Sequence, residues 1–391
     1  MPLDLKQSEA RALTDYFAAR EGELLTFMRA LVETESPSGD REGNAAVVSL
    51  LAEAARGLGV ETEVTLESDA EYGSHLLVRA FGARTDGDAL TTLILGHTDT
   101  VHPRGSITAR PWREEDGRIY GPGIFDMKAN CALALEALRA CATLGMRPAS
   151  PVSVLLTCDE EVGSHSGRAL VEAESRRAAR VLVFEPSAPG GRAKTARKGT
   201  SSYTLRAAGI AAHAGLDPEK GASAVLEIAR QIERVHQFND PSRGLTVNAG
   251  VVTGGTRSNV VAAEAHTEVD VRFSTMGDAL RMDETFMNLR PCDARVKLSV
   301  EGGINRPPLE RTEAVVKLYE QARRIASVFG FELGEASVGG ASDGNFAAAV
   351  GATVLDGLGI AGDGAHAAHE HINRADIARR GALLAALLVT L

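Results

Sequence analysis

In the stretch LILGHTDTV a run of aliphatic residues ends at Gly96 and is followed by His97 and Asp99. A core strand has no use for such an ending. If the extended backbone continues past Gly96, side chains alternate faces, and His97 and Asp99 point the same way. A carboxylate beside an imidazole fixes which ring nitrogen is free, the arrangement that metal-binding histidines use. Other segments end in the same residue types. GPGIFDMK sets Asp126 behind a glycine-rich turn, PVSVLLT runs into Cys158-Asp159-Glu160-Glu161, RVLVF is followed by Glu185, and DGLGI leads to AGDGAHAAHEHI. Imidazoles and carboxylates without cysteine suit zinc or a similar divalent ion at a hydrolytic centre. Adjacent Glu160 and Glu161 can divide two tasks. Neighbours on an extended chain point apart, so one holds an ion while the other faces the attacking water as a general base.

The elements that position these groups follow from hydrophobic pattern. TTLILG (91–96), PVSVLLT (151–157) and RVLVFE (180–185) are apolar strands, separated by helical patterns at 127–145 and 166–177 and preceded by two N-terminal helices. This predicts an α/β fold with a mixed, largely parallel sheet and helices on both faces. Ligands bind such sheets at the carboxyl ends of the strands, which is where the polar residues fall. After about residue 192 the strands alternate instead: SSYTLRAAGI, GLTVNAGVVTGG, NVVAAEAHTEVDVRF and ARVKLSVEGG, with helices at GASAVLEIARQIERVHQF and DALRMDETFMNLR. That β-α-β-β-α-β order is the ferredoxin-like pattern, with an antiparallel sheet. The first pattern resumes after INRPPLE, with a helix near 311–328, a strand at ATVLDGLGI and a last helix near 374–391. The expected domains are therefore 1–194 and 305–391, forming one catalytic body, with 195–304 inserted between them.

A chain of 391 residues suggests about two domains. Its 42 basic and 52 acidic residues leave a net charge of −10, which argues against nucleic acid or an anionic membrane as main partner. The start lacks an apolar signal-peptide core, and no run is long enough to span a bilayer. The four cysteines show no CxxC spacing, so a reduced, cytoplasmic setting is expected, with the cysteines as small packing residues.

GHTDTV, GPGIFDMK and TCDEEVGS, in that order, resemble the dinuclear zinc peptidases of the aminoacylase and glutamate carboxypeptidase family. The resemblance covers essentially the whole chain, including ETESPSGDREGN, HAG at 213–215, GGTRSNVV and GGASDGN. It implies two divalent ions, zinc first with cobalt or manganese as alternatives, bridged by Asp126. His97 and Glu185 go to the first ion, and Glu161 and His366 to the second. Asp99 orients His97, and Glu160 takes a proton from the bridging water and passes it to the leaving amine. GAHAAHEHI fits the family's last-ligand context, with His366 as ligand and Glu370 as the following acid, while His369 and His371 compete for the role. Ala129-Asn130 departs from the two glycines that many relatives carry after the lysine, at a point where relatives are expected to hold a cis peptide after Asp126.

The resemblance also implies a substrate. His213 would stabilise the oxyanion, donated across a homodimer formed through the inserted lid and dimerisation domain. Asn259, Arg272 and Arg306 match positions that bind a terminal carboxylate in glutamate carboxypeptidases, and guanidinium groups suit that task because they engage both oxygens. Gly339, Gly340 and Ser342-Asp343-Gly344 would form a loop lining the pocket. The expected activity is hydrolysis of an amide next to a free carboxylate, in a small molecule or short peptide ending in a glutamate-like residue. The nearest rivals are deacylases of the acetylornithine or succinyl-diaminopimelate type. A metal phosphoesterase would open with Asp-x-His rather than His-x-Asp, and an inactive binding relative would not keep five ligands together with Glu160. His165 and the cluster Arg192, Lys194, Arg197 and Lys198 read as surface.

Overall fold

The computed structural model describes residues 5–82 and 90–391. The chain divides into two compact units. One is built from the chain up to Thr195 with Arg311–Val338 and Ser342–Leu391, the other from Ala196–Glu310 with Gly339–Ala341.

The first unit begins with α1 (Gln7–Glu33) and α2 (Arg41–Arg56). Leu13, Phe17, Leu24, Met28 and Leu31 recur on one face of α1 and are buried, and the Asp40 carboxylate caps α2 by accepting the Gly43 N–H. There follow β1 (Thr62–Asp69), β2 (Gly73–Ala80), β3 (Thr91–His97), α3 (Ser106–Ala109), β4 (Arg113–Glu115), β5 (Arg118–Tyr120), α4 (Ala129–Thr143), β6 (Val152–Thr157), α5 (Arg168–Arg176), β7 (Ala178–Val183) and β8 (Ala193–Arg197). Helix α4 is buried almost all round because its apolar residues occupy every face, as expected of a helix inside a core rather than on it.

The second unit contains β9 (Gly199–Ala208), α6 (Ala224–His236), β10 (Thr246–Gly254), β11 (Glu264–Phe273), α7 (Met276–Met287) and β12 (Lys297–Arg306). Its sheet runs β10-β11-β9-β12, antiparallel throughout, the strand order of a ferredoxin-like fold. Tyr203, Leu205, Val269 and Val271 alternate inward against Ile228 of α6 and Phe286 of α7.

The chain then returns to the first unit with α8 (Glu313–Val328), β13 (Glu335–Val338), α9 (Gly344–Ala349), β14 (Val354–Leu355), β15 (Gly362–Asp363), β16 (His371–Asn373) and α10 (Arg374–Thr390). The main sheet has the order β1-β2-β6-β3-β7-β14. Strands β6, β3, β7 and β14 are parallel, as the apolar runs predict, while β1 and β2 form an antiparallel hairpin that pairs with β6. The hairpin escapes a search for apolar runs because β1 buries none of its residues and the buried β2 is broken by His75 and Arg79. The strand expected over ATVLDGLGI is only two residues long: Asp356 pairs instead with Lys194, and Gly357 then turns the chain through a left-handed conformation (φ +66).

Parallel pairing puts the ends of β3, β6 and β7 at one edge. His97 lies beside Thr157, and Leu95 beside Val183. Residues just beyond these strand ends therefore share the crevice.

Candidate metal centre

His97 is buried, the last residue of β3. Its Nδ1 lies 3.0 Å from the Asp99 backbone carbonyl and 3.4 Å from Asp99 Oδ1. A carbonyl can only accept, so Nδ1 carries the proton and Nε2 is the nitrogen turned towards the crevice. That Nε2 lies 3.1 Å from Asp126 Oδ1 and 3.5 Å from Glu185 Oε1. On the other side of Asp126, His366 Nε2 is 3.4 Å from Asp126 Oδ2 and 3.0 Å from Glu161 Oε2. Two donor sets result, His97–Asp126–Glu185 and Asp126–Glu161–His366, each with its ligand atoms within 4.8 Å of one another and with Asp126 common to both. His366 sits on a turn with φ +65, a backbone region that histidine tolerates better than most residues. Of the competing histidines, His369 is exposed and belongs to no such set among the described residues. His371 is buried, with its Nδ1 3.0 Å from the His369 carbonyl and its ring against Tyr120.

Asp99 meets His97 Nδ1 through both its backbone carbonyl and its carboxylate, and it has a second task. Its backbone carbonyl is the nearer partner of His97, while its carboxylate accepts the Ser38 hydroxyl at 2.6 Å and the N–H groups of Glu160 and Glu161 at 3.2 Å. The motif ETESPSGD thus packs directly behind the site, and Asp99 holds the Glu160–Glu161 segment. That segment is a single 3-10 turn, Glu160–Val162, rather than extended chain. A 3-10 turn has about three residues per revolution, so neighbouring side chains on it are directed apart without any strand alternation. Asp126 enters from a turn in which Gly123 has φ +70 and a Cβ at that position would come within 2.5 Å of Thr100 Cγ2. The Asp126–Met127 peptide is cis.

In the sequence Glu370 is only the acid that follows the last-ligand histidine. It is buried, and its carboxylate accepts the N–H groups of Gly123, Phe125 and Asp126 at 2.7, 2.9 and 3.0 Å. His102 Nε2 lies 2.6 Å from the same carboxylate, and Arg110, which can only donate, faces His102 Nδ1 at 3.2 Å. The His102 ring therefore donates from Nε2 to Glu370.

The electrostatics of the cluster fit cations. Burial pulls the His97 imidazole down, but its hydrogen bonds with Asp126, Asp99 and Glu185 win and hold it well above its ordinary value. Hydrogen bonds to Asp126 and Glu161 raise His366 to about 10. Burial disfavours the Asp126 carboxylate, yet His366 and His97 carry it far below the usual range. Burial pushes Glu161 up more than His366 pulls it down. Without an ion, the cluster recruits protons in place of metal charge. Glu161 Oε1 is buried and has no hydrogen-bond partner among the described residues, a costly arrangement unless a cation completes it. A third set, His75–Cys158–Asp159, lacks this signature. There the Cys158 N–H donates to His75 Nδ1, the Ser166 hydroxyl lies 3.1 Å from His75 Nε2, and Asp159 accepts from Ser166 and Gly167.

The residues expected to bind substrate lie in the second unit. Arg272 on β11 and Arg306 on β12 both stand opposite Thr200 of the central strand β9. Arg272 is half-buried and ion-paired with Asp270 at 2.8 Å, and Arg306 is buried. His213 and Asn259 lie on paired segments, with the Ala214 N–H donating to the Asn259 carbonyl at 3.0 Å. His213 Nδ1 accepts the N–H groups of Gly215 and Leu216. The Gly340 carbonyl accepts from Arg197 at 3.2 Å. Ser342 and Asp343 are buried in the first unit, where Asp343 accepts the Thr157 hydroxyl at the end of β6.

Two surface expectations are corrected. Lys194 and Arg197 are buried, because strand pairing at 194 and 197 covers them, while Arg192 and His165 are exposed as expected. Cys292 is exposed rather than packed, whereas Cys131, Cys141 and Cys158 are buried.

Residues 93–390 match the family model described as peptidase family M20/M25/M40. The chain is 30% identical to carboxypeptidase G2 of a Pseudomonas species over 93% of its own length and 88% of that protein. It is 30% identical to a succinyl-diaminopimelate desuccinylase of Alkalilimnicola ehrlichii over 84% of its own length and 89% of that protein. Among solved structures, an aminopeptidase of Bacillus cereus superposes with a TM-score of 0.77, covering 95% of this chain and 98% of that one at 22% identity, a likeness of fold.

Proposed function

The chain belongs to peptidase family M20/M25/M40, whose members are metal-dependent hydrolases, and we propose that it hydrolyses an amide bond adjacent to a free carboxylate, as a glutamate carboxypeptidase does. The observation that carries the metal-dependent reading is the pair of donor sets sharing Asp126, together with the orphaned Glu161 Oε1. His97, Asp126 and Glu185 hold one divalent ion; Asp126, Glu161 and His366 hold the other. Zinc suits this set of nitrogen and oxygen donors, with cobalt and manganese as substitutes. When bound, the ions polarise the scissile carbonyl and make a water a competent nucleophile near neutral pH.

The protein's own groups do the rest. A carboxylate oxygen of Glu160 takes the proton of the attacking water and returns it to the leaving nitrogen. Asp99 holds Glu160 and Glu161 in place through their N–H groups, so the proton carrier and a ligand share one support. His213 donates to the developing oxyanion, and Asn259, Arg272, Arg306 and the Gly340 backbone receive the substrate carboxylate. The two arginines flanking Thr200, and 30% identity to carboxypeptidase G2 over 93% of the chain, support a carboxylate-bearing substrate. The protein acts as a cytoplasmic homodimer joined through the inserted unit, whose edge strand β10 leaves Val251 and Val252 exposed and whose helix α6 leaves Val225 and Leu226 exposed. No helix among the described residues is long and apolar enough to cross a membrane.

Similarity to the desuccinylase favours one alternative, an N-acyl amino acid deacylase, which would use the same centre and the same carboxylate recognition. A screen of peptides ending in glutamate and of N-acyl amino acids, with and without chelator, tests the proposal. Chelator-sensitive release of glutamate supports it. Release from acyl substrates alone selects the deacylase, and hydrolysis only of phosphoesters refutes both.

A further inference from the structure

Asn130, the second residue of α4, is completely buried although its side chain is a carboxamide. Such a group is retained in a core only when both its donor and its acceptor are used. Its Nδ2 donates to the Phe125 carbonyl at 3.3 Å, and its Oδ1 accepts the Ile360 N–H at 2.9 Å. Both partners bear on the metal centre. The Phe125–Asp126 peptide is held at its other pole as well, since the Asp126 N–H donates to Glu370. The residue before Ile360, Gly359, donates its N–H to the Glu185 carbonyl at 3.1 Å. Gly359 must lack a side chain, for a Cβ there would collide with Asn130 and with the Glu185 carbonyl. The carboxamide thus joins the peptide that presents Asp126 to the segment that presents Glu185. The neighbouring Cys131 thiol donates to the His97 carbonyl at 3.1 Å, and the His97 N–H reaches Met127 Sδ at 3.3 Å, so the third donor rests on the same stretch of chain.

We propose that Asn130 is a positioning residue for the ion held by His97, Asp126 and Glu185, fixing the separation of the two carboxylates through the backbone that carries each. This rests on the assignment of those three residues as ligands. Among the described residues no hydrogen bond joins the Asn130 side chain to the segment carrying Glu161, and it bears on the other ion's ligands through the shared Asp126. Its loss therefore falls mainly on one of two ions.

The test uses cobalt(II) as probe, titrated against a competing chelator and followed by its visible absorption, in two backgrounds. His366→Ala leaves the His97–Asp126–Glu185 set, and His97→Ala leaves the Asp126–Glu161–His366 set. Asn130→Leu removes both hydrogen bonds at similar size. In the His366→Ala background it lowers cobalt affinity by about ten- to a hundredfold, the usual effect of losing a group that orients a ligand, and alters the absorption bands. In the His97→Ala background the loss is much smaller. Unchanged affinity and spectrum in the first background, or equal losses in both, overturn the proposal. If the His366→Ala parent itself takes up no cobalt, the ligand assignment falls and the proposal with it. Thermal unfolding of the metal-free chains reports whether the leucine variant folds. If it does not, Asn130→Gly, which removes the same bonds without adding bulk, carries the comparison with the same outcomes.

Discussion

Loading the metal-free protein should expel protons, and their number follows from the cluster. At pH 7 His366, raised to about 10 by Asp126 and Glu161, is almost fully protonated. His97 is protonated too, because its carboxylate neighbours outweigh the burial penalty. An ion needs the lone pair of each Nε2, so filling both positions displaces about two protons per chain. Titration calorimetry in buffers of different ionisation enthalpy reads this directly, since the slope of observed heat against buffer enthalpy is the proton count. Affinity of the ion at His366 should also rise about tenfold per pH unit from pH 7 towards 9, because one proton competes with it. The sign extends to stability. Both histidines are raised above the usual 6.5, so they stabilise the metal-free fold below that pH, and the contribution disappears as pH climbs through their folded-state values, about 10 for His366. The metal-free unfolding midpoint should fall over that interval, while the loaded protein should show no such fall. A slope of zero protons, with affinity independent of pH, would refute the idea that imidazolium groups occupy the charge positions of the ions.

Glu160→Gln should leave metal content intact while reducing turnover by about a hundred- to ten-thousandfold, measured as kcat on a fully loaded sample. Arg272→Ala should raise KM for a substrate with a free carboxylate by roughly ten- to a hundredfold and leave the corresponding amide unaffected. Glu370→Ala strips the acceptor from the N–H groups of Gly123, Phe125 and Asp126, at about 1–3 kcal/mol for each unpaired group, and should lower the unfolding midpoint by several degrees even without metal. Prolonged dialysis against chelator should abolish hydrolysis, and zinc or cobalt should restore it.

How far the sequence discloses this arrangement depends on the partner each residue has. His97, Glu161 and Glu185 are readable as neighbours because parallel apolar strands end at one edge, so polar residues at or beyond their ends converge. Asp126 instead comes from the glycine-rich turn after the short antiparallel strand β5 and is picked out by the resemblance of GPGIFDMK. The ferredoxin-like unit is readable from its alternating strands. Asn130 shows in the sequence only as a departure from the family's glycines, and Cys131 only as a packing residue, since both act on backbone groups, which have no sequence signature. His102 is hidden for another reason: its partner Glu370 lies far along the chain. Pattern also misplaces Lys194 and Arg197, because a charged residue on a short paired strand looks like surface until the pairing is known. In the hairpin β1-β2 the outer strand buries no residue and the buried inner strand is broken by His75 and Arg79, so the long apolar run that reveals its neighbours is missing.

Anomalous diffraction from crystals of the zinc-loaded protein tests the central claim most directly. The account predicts two peaks, one among His97, Asp126 and Glu185 and one among Asp126, Glu161 and His366, each in contact with an Asp126 oxygen. A single peak, or two that do not share Asp126, would contradict it.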